Sequence, residues 1–468
     1  MTHATKEQPT MLAEETGLPG ARKWWAMSTL IVGGAVATLD TAIANTALPT
    51  IAADLHASPD LSVWIINAYQ LAMVAALLPL AALGDRIGHR RIYFFGLGLF
   101  TLASLASGFA WSLSTLVIAR ILQGVGAAGI LGVGSALLRL IFPPHQMGRA
   151  QGLNALTVAV FFAVGPTVTS IILSISTWPW LFLINVPLGL VAMTLAIRTL
   201  PYNHAAAAPR RPFDVIAAGL LATMLSLVIF GLGELSHHAP PARVAIEFGV
   251  AALCCALLLR RERADPAPLL PVDLFRLPLF SLSMATSSLS YAAQGLAFVA
   301  LPFLMQTKLG RTAVETGLLF TPWPILSAVT APLAGYLSEK RSVALLCGTG
   351  LVIMGVGLAS TALLPANAGV LDIAWRLAIC GAGFGFFQSP NLKALSLSAP
   401  KARIGSASGL IPAARLFGQA LGAALVAACF SLGVEHGSVV ALWLASGFAA
   451  VASMVSVLRL RAPAISHA

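Results

Sequence analysis

The run VATLDTAIANTALP, residues 36–49, sets the carboxylate of Asp40 inside an apolar stretch that begins at Trp24. A second charge, Arg120 of ARILQGVGAAG (119–129), also stands inside an apolar run. A charge at membrane depth must face protein or water and find a partner. Read as helices rising about 1.5 Å per residue, the two runs place Asp40 about 15 Å and Arg120 about 10 Å below the same surface, at comparable depth. The protonation of a buried carboxyl answers to its partner and to wetting, so the pair is a candidate for proton coupling.

Other residues carry weaker signals. The stretch GAGFGFFQSPNLKAL (381–395) sets Gln388 and Asn391 near Phe384, and LLFTPWP (318–324) adds Trp323. With Asn45, Tyr69 and Gln123 these are the candidates for lining a substrate cavity, where aromatic faces would suit flat lipophilic ligands through apolar contact and cation–π attraction. The stretch LGDRIGHRRIY (83–93) holds Gly84, Asp85, Arg86, Gly88, Arg90 and Arg91 between two apolar runs. Its glycines permit a tight turn, and Asp85 is placed where the next helix should begin, able to accept from free backbone N–H groups. Gly165 and Pro166 of VGPTVTS (164–170) predict a kink and a close helix approach.

These residues are carried by a chain of 468 residues that is 58% hydrophobic and only 10% charged. A soluble domain gives about a quarter of its residues to charge, so the composition predicts an all-α polytopic membrane protein. Apolar runs of spanning length fall at about 24–50, 61–83, 92–111, 113–141, 151–174 and 178–199, then 214–235 and 244–260, then 277–306, 315–337, 343–364, 369–395, 405–431 and 436–458. The organisation expected is a tail (1–23), a six-helix bundle (24–199), a linker with two additional helices (200–276), a second six-helix bundle (277–458) and a short tail (459–468). Polar residues 1–21 show no cleavable signal. The five cysteines all lie in apolar runs, which speaks for free thiols.

With the N-terminus in the cytoplasm, one set of loops and flanks collects nearly all the lysine and arginine, including Arg86, Arg90, Arg91, Arg149, Arg210, Arg211, Lys340, Lys401 and Arg403. The other set holds only Arg243, Lys308 and Arg311. Arg120, Arg376 and Arg415 stand within spans. This asymmetry puts both termini in the cytoplasm and explains the net charge of +11 without a nucleic-acid partner. A repeat is also visible: GDR (84–86) and SEK (338–340), like Arg149 and Arg403, are 254 residues apart. Two parallel halves around a midplane site suit alternating access.

On these residues the chain resembles the major facilitator superfamily, and within it the fourteen-span drug:proton antiporters. The Gly84–Arg91 loop is similar to the family's motif A, with Ala81 and His89 departing from it. ARILQGVGAAG is similar to motif B, LDTAIANTALP (39–49) to the first-helix signature of those antiporters, and WPWLFLINVPLG (178–189) to the start of their sixth helix. The resemblance implies proton coupling and recognition of cationic drugs at Asp40, and a gating role for motif A. Motif C is partial: Gly165 and Pro166 remain, while Thr169 and Ser170 stand in place of its glycine pair.

The expectation is therefore export of lipophilic, cationic compounds across a bacterial inner membrane by a monomer, with the proton as coupling ion and no other cofactor. No phosphate-binding loop of the Gly-x-x-x-x-Gly-Lys-Ser/Thr form, no metal-ligand cluster in the spans and no nucleophile–base pair is legible, so neither ATP-driven transport nor an enzyme is indicated. Proton symport of a small metabolite is the alternative. A membrane-embedded enzyme or a sensor is the alternative of another class.

Overall fold

The computed structural model describes residues 17–143, 146–202, 214–234, 240–264, 272–398, 404–431 and 433–461. Among them are fourteen helices long and apolar enough to cross a bilayer. The first six are α1 (Arg22–Asp54), α2 (Pro59–Ile87), α3 (His89–Gly108), α4 (Leu113–Ile141), α5 (Arg149–Ile175) and α6 (Trp180–Thr199). Two follow, α7 (Val215–Leu232) and α8 (Ala242–Arg263). The last six are α9 (Pro278–Lys308), α10 (Ala313–Leu337), α11 (Val343–Ala362), α12 (Val370–Leu395), α13 (Leu410–Phe430) and α14 (Val434–Arg461). No strand occurs among the described residues. The loop cations Arg210, Arg211, Lys401 and Arg403 lie outside them.

Each apolar run of the sequence coincides with one helix, and local chemistry sets the ends. The Ser112 side chain accepts from the Thr115 N–H while Thr115 reaches back, a reciprocal cap that starts α4. Thr312 and Glu315 do the same for α10. Polar residues inside the spans satisfy themselves locally: Thr38, Thr41 and Thr46 each donate to the carbonyl four residues earlier. The protein's exterior is apolar, with Leu102, Trp111, Ile175, Leu371 and Met454 all exposed, as a surface facing lipid requires.

The halves pack by one scheme. In the first, α1 packs on α5 and α6, α4 on α2 and α3, and α3 on α6. In the second, α9 packs on α13 and α14, α12 on α10 and α11, and α11 on α14. The close approaches repeat as well. A Cβ on Gly124 would lie 2.3 Å from the Tyr69 carbonyl oxygen, and one on Gly381 would lie 2.0 Å from that of Trp323. Trp323 follows Tyr69 by the same 254 residues seen in the sequence, so small residues let equivalent helices touch in both halves.

Between the halves, α2 packs on α13, α5 on α10 and α1 on α9. Helix α7 touches both α2 and α13, with the Trp64 and Phe230 rings 4.5 Å apart, and α8 packs on α7. The inserted pair thus leans on one seam of the two bundles. The five cysteines are free.

Candidate proton-coupling site

Helices α1, α4 and α6 converge on Asp40, with α3 behind them. Its Oδ2 accepts from Arg120 Nη1 at 2.5 Å. Its Oδ1 accepts from Gln123 Nε2 at 2.7 Å and from Asn185 Nδ2 at 2.8 Å. Both charged residues are 1% exposed. Arg120 is held from three further sides: its Nε donates to the Ile65 carbonyl at 3.1 Å, its Nη1 also reaches Gln123 Oε1 at 2.7 Å, and its guanidinium carbon lies 4.1 Å from the centre of the Tyr69 ring. Gln123 Nε2 also donates to Ser104 Oγ at 2.9 Å. Tyr69 donates to the Ala37 carbonyl at 3.3 Å.

The chemistry of this arrangement follows from its donors. Three N–H groups point at the carboxylate, and every hydrogen-bond partner of its oxygens among the described residues is a donor, so the set fits an acceptor-only Asp40. The sequence placed Asp40 beside Arg120, and the structure brings them together. Gln123 and Tyr69, read as cavity candidates, pack against the pair and are buried. Asn185 and Ser104 were missed. An amide inside a span at 185 was a usable signal, whereas Ser104 is one of many self-satisfied span hydroxyls and offered none.

Gly165 lets α5 meet α1 two residues from Asp40, since a Cβ there would lie 2.3 Å from Ala42 Cβ. Nearby, Ser170 Oγ donates to the Val314 carbonyl of α10 at 2.8 Å, and the Thr167 and Thr321 hydroxyls are 3.1 Å apart. Gly317 accommodates this contact, because a Cβ on it would meet Ser170 Oγ at 2.1 Å. Phe162 stacks on Phe298 at 5.2 Å across the same seam. Asn45 lines a narrow pocket here with Ala42, Thr46, Pro166, Phe320 and Pro324. The bundles are thus joined in the half of the molecule away from the basic loops.

The remaining candidates lie in the second half. Trp323 is buried, packed against Phe298 and Phe320, with its Nε1 unpartnered. Phe384 packs edge-on to Tyr291 at 5.6 Å, and Gln388 Nε2 donates to the Tyr291 hydroxyl at 3.3 Å. Asn391 donates to Ser287 Oγ at 3.2 Å and accepts from Arg459 at 2.8 Å, which anchors it at the basic end. Arg376, near the repeat position of Arg120, pairs instead with Asp372 on its own helix at 3.1 Å.

One expectation is corrected at the Gly84–Arg91 loop. Asp85 does not begin α3 but lies in the last turn of α2, because the helix continues to Ile87 and breaks at Gly88, whose φ of 103° favours glycine. The Asp85 side chain is 75% exposed and lies 3.4 Å from His89 Nε2. Arg90 donates to the Ile197 carbonyl and covers the Tyr202 ring at 3.6 Å, tying the loop to the end of α6. Arg91 is exposed and Arg86 half-buried.

Comparison with known proteins agrees with this architecture. The family described as the Major Facilitator Superfamily matches residues 30–423 and 284–465. The chain is 48% identical to the uncharacterized transporter YebQ of Escherichia coli (strain K12), over 96% of this chain and 98% of that protein. It is 29% identical to the riboflavin transporter RibZ of Clostridioides difficile (strain 630), over 89% and 90% of the two. It is 30% identical to the tetracenomycin C resistance and export protein of Streptomyces glaucescens, over 91% and 79%. Its fold matches a crystal structure of a bacterial homologue of the human lysosomal transporter Spinster in an inward-facing, unoccupied conformation, with a TM-score of 0.68, 14% identity and coverage of 95% and 98%. The chain is therefore a multi-pass membrane transporter and belongs to the Major Facilitator Superfamily, with fourteen apolar spans as in its fourteen-span members.

Proposed function

We propose that this transporter exports lipophilic compounds across a bacterial inner membrane in exchange for protons, with both termini in the cytoplasm and Asp40 as the proton carrier. The observation that carries the reading is the sealed Asp40–Arg120–Gln123–Asn185 network, which joins three helices of one bundle through a single ionisable group. A proton on Asp40 removes its charge and sets an O–H against surrounding donors, so Arg120 loses its counter-ion and the helices lose a shared tie. Protonation thereby becomes a change in helix packing, which is what alternating access needs.

The bundle contacts support a cycle. The Ser170–Val314 and Thr167–Thr321 bonds close the outer seam, given cytoplasmic basic loops. Asp85 sits at a helix C-terminus, where a negative charge is unfavourable, and is largely exposed, so its carboxylate is free to be satisfied elsewhere in the opposite conformation. That gives the motif A loop its latching role when the outer seam opens. A relative at 30% identity is named for resistance and export, which favours this direction. The charge preference of the substrate is not carried by Asp40, whose oxygens are already occupied.

The test loads cells with ethidium, a lipophilic cation, or 2-naphthoate, a lipophilic anion. Cells expressing the protein should expel at least one faster than control cells, and a protonophore or Asp40→Asn should abolish the difference. Expulsion that ignores the protonophore contradicts proton coupling. Net uptake of both probes contradicts export.

A further inference from the structure

We propose that α9, α12 and α13 carry a recognition subsite for an organic anion, an apolar aromatic body bearing a carboxylate, with Arg415 as its charge partner. This deepens the export reading and rests on it only for the claim that the ligand is transported. The helix that contains α13 runs Ile404–Phe430 in full, and Arg415 lies 11 residues after its start and 15 before its end. At about 1.5 Å per residue it is some 16 Å from the nearer helix end, too deep for its head group to reach the interface easily. Its Nε is sealed from solvent without a hydrogen-bond partner, and it forms no ion pair among the described residues. Arg120 solves the same problem with three hydrogen bonds, one of them to Asp40, and an aromatic face. Among the described residues Arg415 has the face alone: its guanidinium carbon is 5.8 Å from the centre of the Tyr291 ring.

The repeat shows where this half lacks an acid. Gln294 stands 254 residues after Asp40, so the second half offers a neutral amide where the first offers an acid. Gln294 Oε1 accepts from Gln419 Nε2 at 3.0 Å, and Gln419 is one helical turn from Arg415. Arg120 is neutralised by Asp40, whereas the half-buried Arg415 meets no acid among the described residues, so one positive charge stands there without a carboxylate beside it. That charge repels a cation and attracts a carboxylate, which a guanidinium can hold by two parallel bonds.

The surroundings suit the rest of such a ligand. Gln388 donates to the Tyr291 hydroxyl, which leaves the phenolic hydrogen available to a second acceptor. Phe384, edge-on to Tyr291, continues an aromatic wall beside the guanidinium. Arg415 is also within electrostatic range of Tyr69 on α2, so the subsite borders the seam between the bundles. Exporting a monoanion against one entering proton moves two charges in the same sense across the membrane, so the membrane potential drives the exchange.

The experiment is equilibrium dialysis of the full-length protein in lipid nanodiscs with labelled 2-naphthoate, 2-naphthamide and ethidium, with no proton gradient present. Wild type should bind 2-naphthoate saturably and at least tenfold more tightly than the amide or ethidium. Arg415→Gln should lose at least tenfold in naphthoate affinity without changing amide binding, and Arg415→Lys should recover most of the loss. A purely structural role for Arg415 would weaken both naphthalene ligands alike. Should Arg415→Gln fail to fold, Tyr291→Phe and Gln388→Leu should each weaken naphthoate binding severalfold. The proposal is overturned by absent naphthoate binding, by preferred binding of ethidium or the amide, or by wild-type affinity in Arg415→Gln. Because binding is read without a gradient, these outcomes are separate from failure of proton coupling.

Discussion

Replacing Asp40 by asparagine tests whether the buried pair is held as the geometry says. The substitution removes the counter-ion of an arginine that is 1% exposed and turns one of two accepting oxygens into an N–H₂ facing a donor. Breaking a buried pair from one side costs about 3–5 kcal/mol. Arg120 keeps the Ile65 carbonyl, Gln123 Oε1 and the Tyr69 face, which argues for the lower part of that range, about 3 kcal/mol. Arg120→Gln should cost a similar amount, because it strands the carboxylate with two amide donors. The double variant leaves no unpaired charge, so its loss should be close to that of one single variant, a coupling of about 2–3 kcal/mol. The assay is equilibrium unfolding of all four proteins in mixed micelles with increasing SDS. Additivity within about 0.5 kcal/mol would refute the reasoning, since residues that do not share an interaction add to that degree.

Three further outcomes follow from the helix contacts. Ser170→Ala removes the 2.8 Å bond to the Val314 carbonyl, about 0.5–1.5 kcal/mol, and should raise the outward-open population about two- to tenfold. Labelling of a cysteine placed at Thr46 by an impermeant thiol reagent reads this directly, and unchanged labelling contradicts it. Gly165→Leu must push α1 from α5, because even a Cβ would lie 2.3 Å from Ala42, and should abolish transport at an overpacking cost of about 1–3 kcal/mol. Transport by that variant at the wild-type rate would refute the close approach. Gly88→Ala forces a side chain to φ 103°, a cost of about 1–3 kcal/mol that should appear as a lower midpoint of unfolding, with no change if the turn relaxes freely.

The fold was legible because spans must satisfy their backbone internally, which makes long apolar runs unambiguous. The repeat was legible because two short basic loops kept their spacing. The Asp40–Arg120 pairing could be read from depth alone, since two charges in neighbouring apolar helices at one level have few alternatives. Partners that need rotation about a helix axis could not be read: Gln123 and Tyr69 face the ion pair, and Trp323 packs against Phe298 and Phe320. Asp85 was misplaced because two glycines flank it and only Gly88 has the positive φ that ends α2. Ser170, which departs from motif C, turned out to bridge the two bundles, a role that only the opposing Val314 carbonyl reveals. Arg415 was visible as a cation in a span, but that it meets no acid among the described residues, with its Nε unpartnered, required the surrounding side chains.

The most direct test of the central claim is accumulation in proteoliposomes under an imposed proton gradient, using whichever of 2-naphthoate or ethidium the purified protein binds. Wild type should concentrate the probe against its own gradient, while Asp40→Asn should bring it only to equilibrium and still exchange it in counterflow without a proton gradient. Proton-driven accumulation by Asp40→Asn equal to that of wild type would show that another group carries the proton.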